Sequence, residues 1–321
     1  MKLTRRCNLK CLQCEVWKTK PRPELSTEQW KRIILDVKKY IGPYFIRFYG
    51  GEPFCRKDLL ELLEFCDING LPAFITTNGT CIDRSVAQKL AQFNVLSVNI
   101  SLDGHKPEIH DRLRGMPGTY KRVIQAIEFL KGKVSVCINT TIMDYNIDAI
   151  LPLAEFAHKN KLYISLQGVS DTVYKAQHGN NKVVRSMFPR DSQKLDYIID
   201  SLINMKKNNE SIMNSYDNLR RLKMYFHRSP ELTKKRCEAI GRQLMIKDQG
   251  NVYLCSYNSS HIGSIGNVAE RSLRDIWNLS KAKKKKSEMA GCKEIECLVI
   301  RGCYKESLTE KLKRFKKCFS R

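Results

Sequence analysis

The chain has 321 residues, 42% of them hydrophobic, enough to bury one large core with a smaller companion. It holds no apolar run long enough to span a bilayer and no signal peptide, which speaks against a membrane protein and predicts a cytoplasmic one. The formal net charge of +24 is distributed along the chain, with one dense run at Lys281 and Lys283–Lys286, and reads as a lysine-rich solvated surface in place of a nucleic-acid interface.

Leu3–Thr4 reads as the end of a strand that runs into Cys7, Cys11 and Cys14. Ser26 and Gln29 form a capping box for a helix whose apolar face is Trp30, Ile33, Ile34 and Val37. A strand is expected at Tyr44–Tyr49, closing on Gly50–Gly51. Asp58 caps a helix through Leu59, Leu62, Leu63 and Cys66 that Gly70 stops. Further strands are expected at Ala73–Thr77, Val95–Leu102, Val134–Ile142 and Leu162–Val169. Between them lie helices begun by Asp83, by Thr119 (stopping at Gly132) and at Ile147–Lys159. Repeated βα units predict a parallel sheet with right-handed crossovers. In barrels of this kind function collects at the C-terminal strand ends, where Gly50–Pro53, Thr77–Gly79, Ser101–Gly104 and Gln167–Gly168 fall. A helix at Asp191–Lys207, a polar joint at Lys206–Ser211 and a helix near Tyr216–His227 follow. The expected organisation is a core at 1–210, a helical linker at 211–235 and a cysteine-rich domain at 236–321.

Thirteen cysteines, an odd number, argue against a disulfide framework and for metal or cluster ligation. Three thiolates on one loop, Cys7, Cys11 and Cys14, can hold three irons of a four-iron cluster and leave the fourth to a small molecule. On spacing alone, zinc with a fourth ligand from elsewhere stays open. Cys55, Cys66, Cys81 and Cys137 lie singly and read as small buried hydrophobes. Cys237, Cys255, Cys292, Cys297, Cys303 and Cys318 crowd the C-terminal end.

Thr4-Arg5-Arg6-Cys7-Asn8-Leu9-Lys10-Cys11-Leu12-Gln13-Cys14 resembles the cluster loop of the radical S-adenosylmethionine (SAM) superfamily. Gly50-Gly51-Glu52-Pro53 resembles its second signature, and Ser101-Leu102-Asp103-Gly104 with His110-Asp111-x-x-Arg114-Gly115 and Gly118-Thr119-Tyr120 a third. Cys237-x12-Gly250-x4-Cys255, then Gly266-Asn267, Trp277, Cys292-x4-Cys297-x5-Cys303 and Cys318, resembles the auxiliary-cluster extension called SPASM, or the shorter twitch. The four-residue gap after Cys292 and Ser307 in place of a cysteine depart from that pattern, so one auxiliary four-iron cluster is expected, a second incomplete one and a zinc site being the alternatives.

The resemblance implies an α/β fold, a partial (β/α)6 TIM-like barrel with a small cysteine-rich C-terminal cluster domain. It implies a SAM-binding [4Fe-4S] cluster on Cys7, Cys11 and Cys14, SAM itself, at least one auxiliary [4Fe-4S] cluster and a reductant such as flavodoxin or ferredoxin. Gly50 and Gly51 would approach the cofactor amine through their backbone, Glu52 beside Pro53 would accept from it, and Arg114 would fork onto its carboxylate. Ser101 would reach the ribose, with Asn78 on a neighbouring strand end; His110 reads as structural. The cofactor would yield a 5′-deoxyadenosyl radical that takes a substrate hydrogen. A peptide or protein side chain is the expected substrate; a small molecule such as a sugar or aminocyclitol is the alternative. A non-enzymatic iron–sulfur or zinc protein is a third reading, against which a pocket with Glu52 and Arg114 argues. The cluster loop lies close to Met1, so no N-terminal leader-binding domain is expected on this chain.

Overall fold

A computed structural model describes residues 1–20, 22–41, 44–170, 186–233, 243–255 and 262–292, with Cys237, 294–295, Cys297 and Val299. The capping box forms as expected: Ser26 N–H donates to Gln29 Oε1 (2.8 Å) and Gln29 N–H to Ser26 Oγ (3.2 Å), opening α1 (Thr27–Ile41). β1 (Ile46–Phe48), β2 (Ala73–Thr77), β3 (Val95–Ser101), β4 (Val136–Ile142) and β5 (Tyr163–Gly168) pair in that order, all parallel. Between them run α2 (Leu59–Ile68), α3 (Arg84–Leu90), α4 (Pro107–Arg114) with α5 (Thr119–Leu130), and α6 (Ile150–Lys159). α7 (Ser192–Asn208) and α8 (Tyr216–Phe226) follow.

Both flanks of the sheet are extended by single bridges. Lys2 bridges Tyr49 in parallel and Leu3 N–H donates to Tyr49 O (2.8 Å), so the expected strand end at Leu3–Thr4 lies beside β1. Beyond β5, Ile164 N–H donates to Ser211 O and Met213 N–H to Ile164 O, each at 2.8 Å. The Asn214 side chain then takes Leu166 N–H (2.8 Å) and gives to Leu166 O (2.7 Å), closing an edge that would otherwise leave backbone groups unpaired.

The two faces of the sheet differ in chemistry. Ile46, Phe48, Ile75, Val98, Ile100, Val136, Ile138, Ile164 and Leu166 are buried in one core with Leu3 and the inward faces of α1 to α6. The alternate positions carry Phe74, Cys137 and Tyr163 toward the N-terminal ends of β2, β4 and β5, and Thr76, Ser97, Asn99, Ser101, Asn139, Thr141, Ser165 and Gln167 along the rest, in register across strands: Thr76 beside Asn99, Ser101 beside Asn139, Asn139 beside Ser165, Thr141 beside Gln167. This polar face is the inner one of the partial barrel.

Local details depart from the sequence reading. β1 spans three residues in place of six. Asp58 stands at the cap of α2, but its carboxylate is taken by Arg56 (2.6 Å) and Thr27 Oγ1 (2.6 Å) in place of the helix N–H groups. The cap of α5 is Gly118, with Thr119 its first residue, because Asp111 from α4 supplies the acceptors: Gly118 N–H, Thr119 Oγ1 and Tyr120 N–H all donate to it within 2.7 Å.

The C-terminal part begins with β6 (Met245–Ile246), β7 (Asn251–Tyr253) and β8 (Gly266–Asn267), an antiparallel sheet, followed by α9 (Leu273–Asn278) and α10 (Ser280–Ala290). It is fastened to the first part by Lys2 N–H to Ile246 O (2.8 Å), Leu25 N–H to Asp248 O (2.8 Å) and Leu273 N–H to Asp36 Oδ2 (2.6 Å). Among the described residues no helix is long and apolar enough to cross a membrane.

Asn214→Ala would orphan two buried backbone groups of β5. A loss of roughly 1–3 kcal/mol for each is expected in urea denaturation; a loss below about 0.5 kcal/mol would show that water replaces the amide there.

Candidate active site

Residues 4–14 leave the Lys2–Tyr49 bridge as a loop that is seated between two glycine platforms. On one side Gly51 N–H donates to Thr4 O (2.9 Å) and Glu52 N–H to Arg6 O (2.8 Å). A Cβ on Gly50 would stand 2.6 Å from Thr4 O, and one on Gly51 2.3 Å from Arg6 O. On the other side Leu12 N–H donates to Leu113 O (3.0 Å), and a Cβ on Gly115 would meet Lys10 O at 2.2 Å. Gly115 also has φ +68°, the left-handed C-cap of α4. The chain therefore needs these glycines for its own close approach, whatever else their backbone meets.

In this frame Cys11 is buried and Cys7 and Cys14 are half-buried. Burial pushes Cys7 up to about 12 and Cys14 upward, and the charge of Cys11 adds to both, so the three thiols share one neighbourhood. Bound metal would displace their protons. Arg114 Nη1 lies 3.9 Å from Cys11 Sγ. Among the described residues no group of three His, Cys, Asp or Glu closes on one metal ion. A cuboidal cluster asks something different of a loop, one thiolate for each of three irons.

Glu52 is fully buried, and both its oxygens are engaged by the chain: Oε1 accepts from Phe54 N–H (3.1 Å) and Thr77 Oγ1 (2.8 Å), Oε2 from Asn78 N–H (2.7 Å). It ties the Gly50–Pro53 turn to the end of β2, where the sequence reading gave it to a ligand amine. Burial pushes its carboxyl up to about 7, against the opposing pull of those hydrogen bonds. Asn78 is likewise engaged, giving Nδ2 to Asn8 Oδ1 (2.8 Å) and accepting from Thr80 N–H (2.9 Å).

Arg114 forms a buried ion pair with Asp103, Nη2 to Oδ2 at 2.7 Å. Asp103, fully buried, also accepts from Gln13 Nε2 (3.1 Å) and Thr141 N–H (2.9 Å). His110 Nδ1 accepts Asp103 N–H (3.2 Å), and burial followed by Arg114 holds its pKa down at about 3, so it is a neutral brace. Arg114 Nε and Gln13 Oε1 remain buried without a hydrogen-bond partner. Ser101, half-buried at the end of β3, presents its hydroxyl on the polar inner face. An unpartnered donor and an unpartnered acceptor beside three thiols fit a cofactor that brings both a carboxylate and an amine better than a closed structural knot.

Beyond Ser101 and Gln167, sequence reasoning passed over the inner-face amides and hydroxyls. Their signal was plain alternation, polar at every second residue through Ser97-Asn99-Ser101, Asn139-Thr141 and Ser165-Gln167. It also placed all four single cysteines in the core. Cys66 and Cys137 are buried, but Cys55 and Cys81 are half-exposed beside the cluster loop, with Asn8 Nδ2 3.7 Å from Cys81 Sγ. In the C-terminal part Cys237, Cys255 and Cys297 are buried in the common core and Cys292 packs against it; Cys303 and Cys318 lie outside the described residues.

The family model described as the radical SAM superfamily matches residues 1–157, and the model for the SPASM iron–sulfur cluster-binding domain matches residues 237–304. They imply a SAM-binding [4Fe-4S] cluster in the first part and auxiliary iron–sulfur in the second, in an enzyme. A Fe-coproporphyrin III synthase of Methanosarcina barkeri is 36% identical over 163 residues, 50% of this chain and 40% of its own length. An AdoMet-dependent heme synthase of Oleidesulfovibrio alaskensis is 39% identical over 148 residues, 45% of this chain and 38% of its own. Mycofactocin maturase MftC of Mycolicibacterium smegmatis is 35% identical over 159 residues, 48% and 40%. The matched stretch thus spans less than half of each curated relative. The fold is shared with Streptococcus suis SuiB bound to S-adenosylmethionine (TM-score 0.70, 19% identity, 98% of this chain and 74% of that one). It is also shared with anSMEcpe bound to AdoMet and the Cp18Cys peptide (TM-score 0.68, 20% identity, 99% and 93%).

Two outcomes follow for the metal-free chain. Gly132 has φ +74° with nothing within 4 Å of an added Cβ, so Gly132→Ala is expected to cost about 1–2 kcal/mol, the left-handed penalty alone. Gly115→Ala carries that penalty and about 1–3 kcal/mol more for the collision with Lys10 O; equal losses in urea would mean the loop is not seated there. For Glu52, a folded value of about 7 lies above the ordinary 4.5, so between these pH values the folded state binds more protons than the unfolded. Its contribution to stability therefore falls as pH rises from 4.5 to 7, by at most about 1.4 kcal/mol per unit. Glu52→Gln should flatten that part of the profile, and parallel profiles for parent and variant would contradict a raised carboxyl.

Proposed function

From the premise that the chain belongs to the radical SAM superfamily and carries a SPASM domain, we propose that it modifies a peptide or protein side chain by radical chemistry. When bound, the cluster and SAM supply one electron and a 5′-deoxyadenosyl radical that takes a substrate hydrogen. Cys7, Cys11 and Cys14 would hold the cluster, on a loop that the chain itself seats. The Arg114 guanidinium would offset the negative charge of the Cys11 thiolate and keep Nε for a cofactor oxygen. The Ser101 hydroxyl would meet the ribose, and the backbone turn at Gly50–Pro53, fixed by the Glu52 and Asn78 bonds, would present its polar groups to the amine. Cys237, Cys255, Cys292 and Cys297, with Cys303 and Cys318, would supply the auxiliary cluster. A flavodoxin- or ferredoxin-like reductant would deliver the electron.

The observation that carries the substrate reading is the inner face of the sheet. Asn99, Ser101, Asn139, Thr141, Ser165 and Gln167 offer hydrogen bonds across three adjacent strands, which matches the alternating donors and acceptors of a peptide. MftC is by name a maturase, and SuiB and anSMEcpe were solved with peptides, which supports the same reading.

A second reading, small-molecule oxidation or rearrangement, is favoured by the 39% identity to a heme synthase. Asn99 Nδ2 is bonded to Ile75 O and Gln167 Nε2 to Thr141 Oγ1, but a flat apolar macrocycle against this face would strand the groups that the chain does not itself pair, at roughly 1–3 kcal/mol each. A sugar-like molecule would not.

Replacing Cys7, Cys11 and Cys14 together with alanine is expected to abolish 5′-deoxyadenosine formation from SAM under reducing, anaerobic conditions. The reconstituted variant should still hold about four irons and four sulfides per chain in the C-terminal part. Undiminished cleavage would overturn the cluster assignment; zinc in place of iron would overturn the auxiliary one.

A further inference from the structure

Where the inner face meets the C-terminal part, four cations surround a single carboxylate. Lys2 bridges Tyr49, and its neighbour Leu3 is fully buried in the core with Phe48, so alternation turns Lys2 to the polar side. Its backbone N–H donates to Ile246 O at 2.8 Å, which brings Lys247 to the same corner. Lys247 lies within electrostatic reach of Lys2, Arg5, Arg22 and Asp248.

Asp248 pulls on both lysines but forms an ion pair with neither. It is fully buried between two guanidinium groups, accepting from Arg22 Nε at 3.1 Å and Arg22 Nη2 at 3.3 Å and ion-paired with Arg5 Nε at 3.6 Å. Among the described residues neither Lys2 nor Lys247 has a carboxylate oxygen within 4.0 Å. Lys247 Nζ stands 4.0 Å over the Tyr253 ring, which holds it in place without neutralising it. Both side chains are half-buried, so solvent screens them less than it would on an open surface. Burial first, then the charges of Lys2 and Arg5, push Lys247 down to about 8, against the opposing pull of Asp248. Lys2 also lies within electrostatic reach of Cys14, which sets the corner beside the cluster loop.

We propose that Lys2 and Lys247 form a subsite for a carboxylate of the substrate at the mouth of the inner face. One carboxylate between two ammonium groups gains a charge-assisted hydrogen bond from each and relieves their mutual repulsion. The lysines are point donors on flexible stems, suited to a carboxylate that arrives on a side chain of variable length. Selection would favour substrates carrying an acid a short distance from the reacting carbon. The inference rests on the reading that the inner face receives the substrate; cofactor cleavage measured with no peptide present tests the radical SAM assignment separately.

The test uses the reconstituted holoprotein under anaerobic conditions with SAM bound. Two fluorescent probes are compared, the pentapeptide Ala-Glu-Ala-Glu-Ala and its Ala-Gln-Ala-Gln-Ala counterpart, both with blocked termini, and citrate serves as competitor. The acidic peptide is expected to bind about tenfold tighter or better than the amide one. Lys2→Met with Lys247→Met should erase the difference, and Lys2→Arg with Lys247→Arg should restore most of it. Iron content and SAM affinity, measured on each variant, exclude misfolding as the cause. Citrate displacing the peptide at comparable concentration would point to a small acid as the source of the carboxylate; failure of citrate to displace it would point to an acidic peptide. The proposal is overturned if the two peptides bind alike, if the methionine variant keeps the preference, or if that variant loses SAM affinity, since the lysines would then serve the cofactor.

Discussion

The rest of the structure depends on one backbone contact, the seating of residues 4–14 between Gly50–Gly51 and Gly115. Three carbonyl oxygens of the loop, those of Thr4, Arg6 and Lys10, lie where a Cβ would otherwise be. Side chains larger than hydrogen at those positions would push the loop away from both the end of β1 and the end of α4. The three thiols would then lose their common neighbourhood and Arg114 its approach to Cys11. A site that must present three sulfur atoms at fixed positions gains from being built on such contacts, because they do not depend on flexible side chains.

Around that seat the chain places three fully buried carboxylates, each spent on a tie. Glu52 joins the turn after β1 to the end of β2, Asp103 joins the turn after β3 to Arg114 and Gln13, and Asp248 joins the C-terminal sheet to Arg5 and Arg22. Buried ionised groups are costly unless paired and hydrogen-bonded, so each holds its partners to one arrangement. Two of the three end on residues of the cluster loop itself, Gln13 and Arg5. The loop is thereby referred to the barrel and to the C-terminal part at once, and the polar inner face opens beside it.

Much of this was legible in the sequence because it rests on local rules. The capping box at Ser26, the Asp83 cap that accepts from Val86 N–H and the apolar faces of α1 and α2 follow from spacing alone. The cluster loop and the glycine turns stood out as motifs. What was missed lies in longer-range geometry. α4 is eight residues long, too short for its period to show, although Pro107 at its start and Gly115 at its end mark its limits. Asp58 and Thr119 were given to helix caps, yet each had a stronger claim from a partner elsewhere, Arg56 and Asp111. The glycine signature suggested a ligand, while the structure shows first a neighbouring backbone. The pairing of Arg22 with Asp248 spans 226 positions and has no sequence signature at all.

The most direct test of this account asks whether the loop is seated before any cluster is present. Amide hydrogen exchange of the metal-free chain, read by NMR or by mass spectrometry of short peptides, reports on Gly51, Glu52 and Leu12, whose N–H groups donate to Thr4, Arg6 and Leu113. Protection of all three to the level of the neighbouring strand β2 is the expected result. Exchange at unprotected rates, with protection appearing only after iron and sulfide are added, would show that the cluster folds the loop, and that the glycine seat is a consequence of ligation and not its precondition.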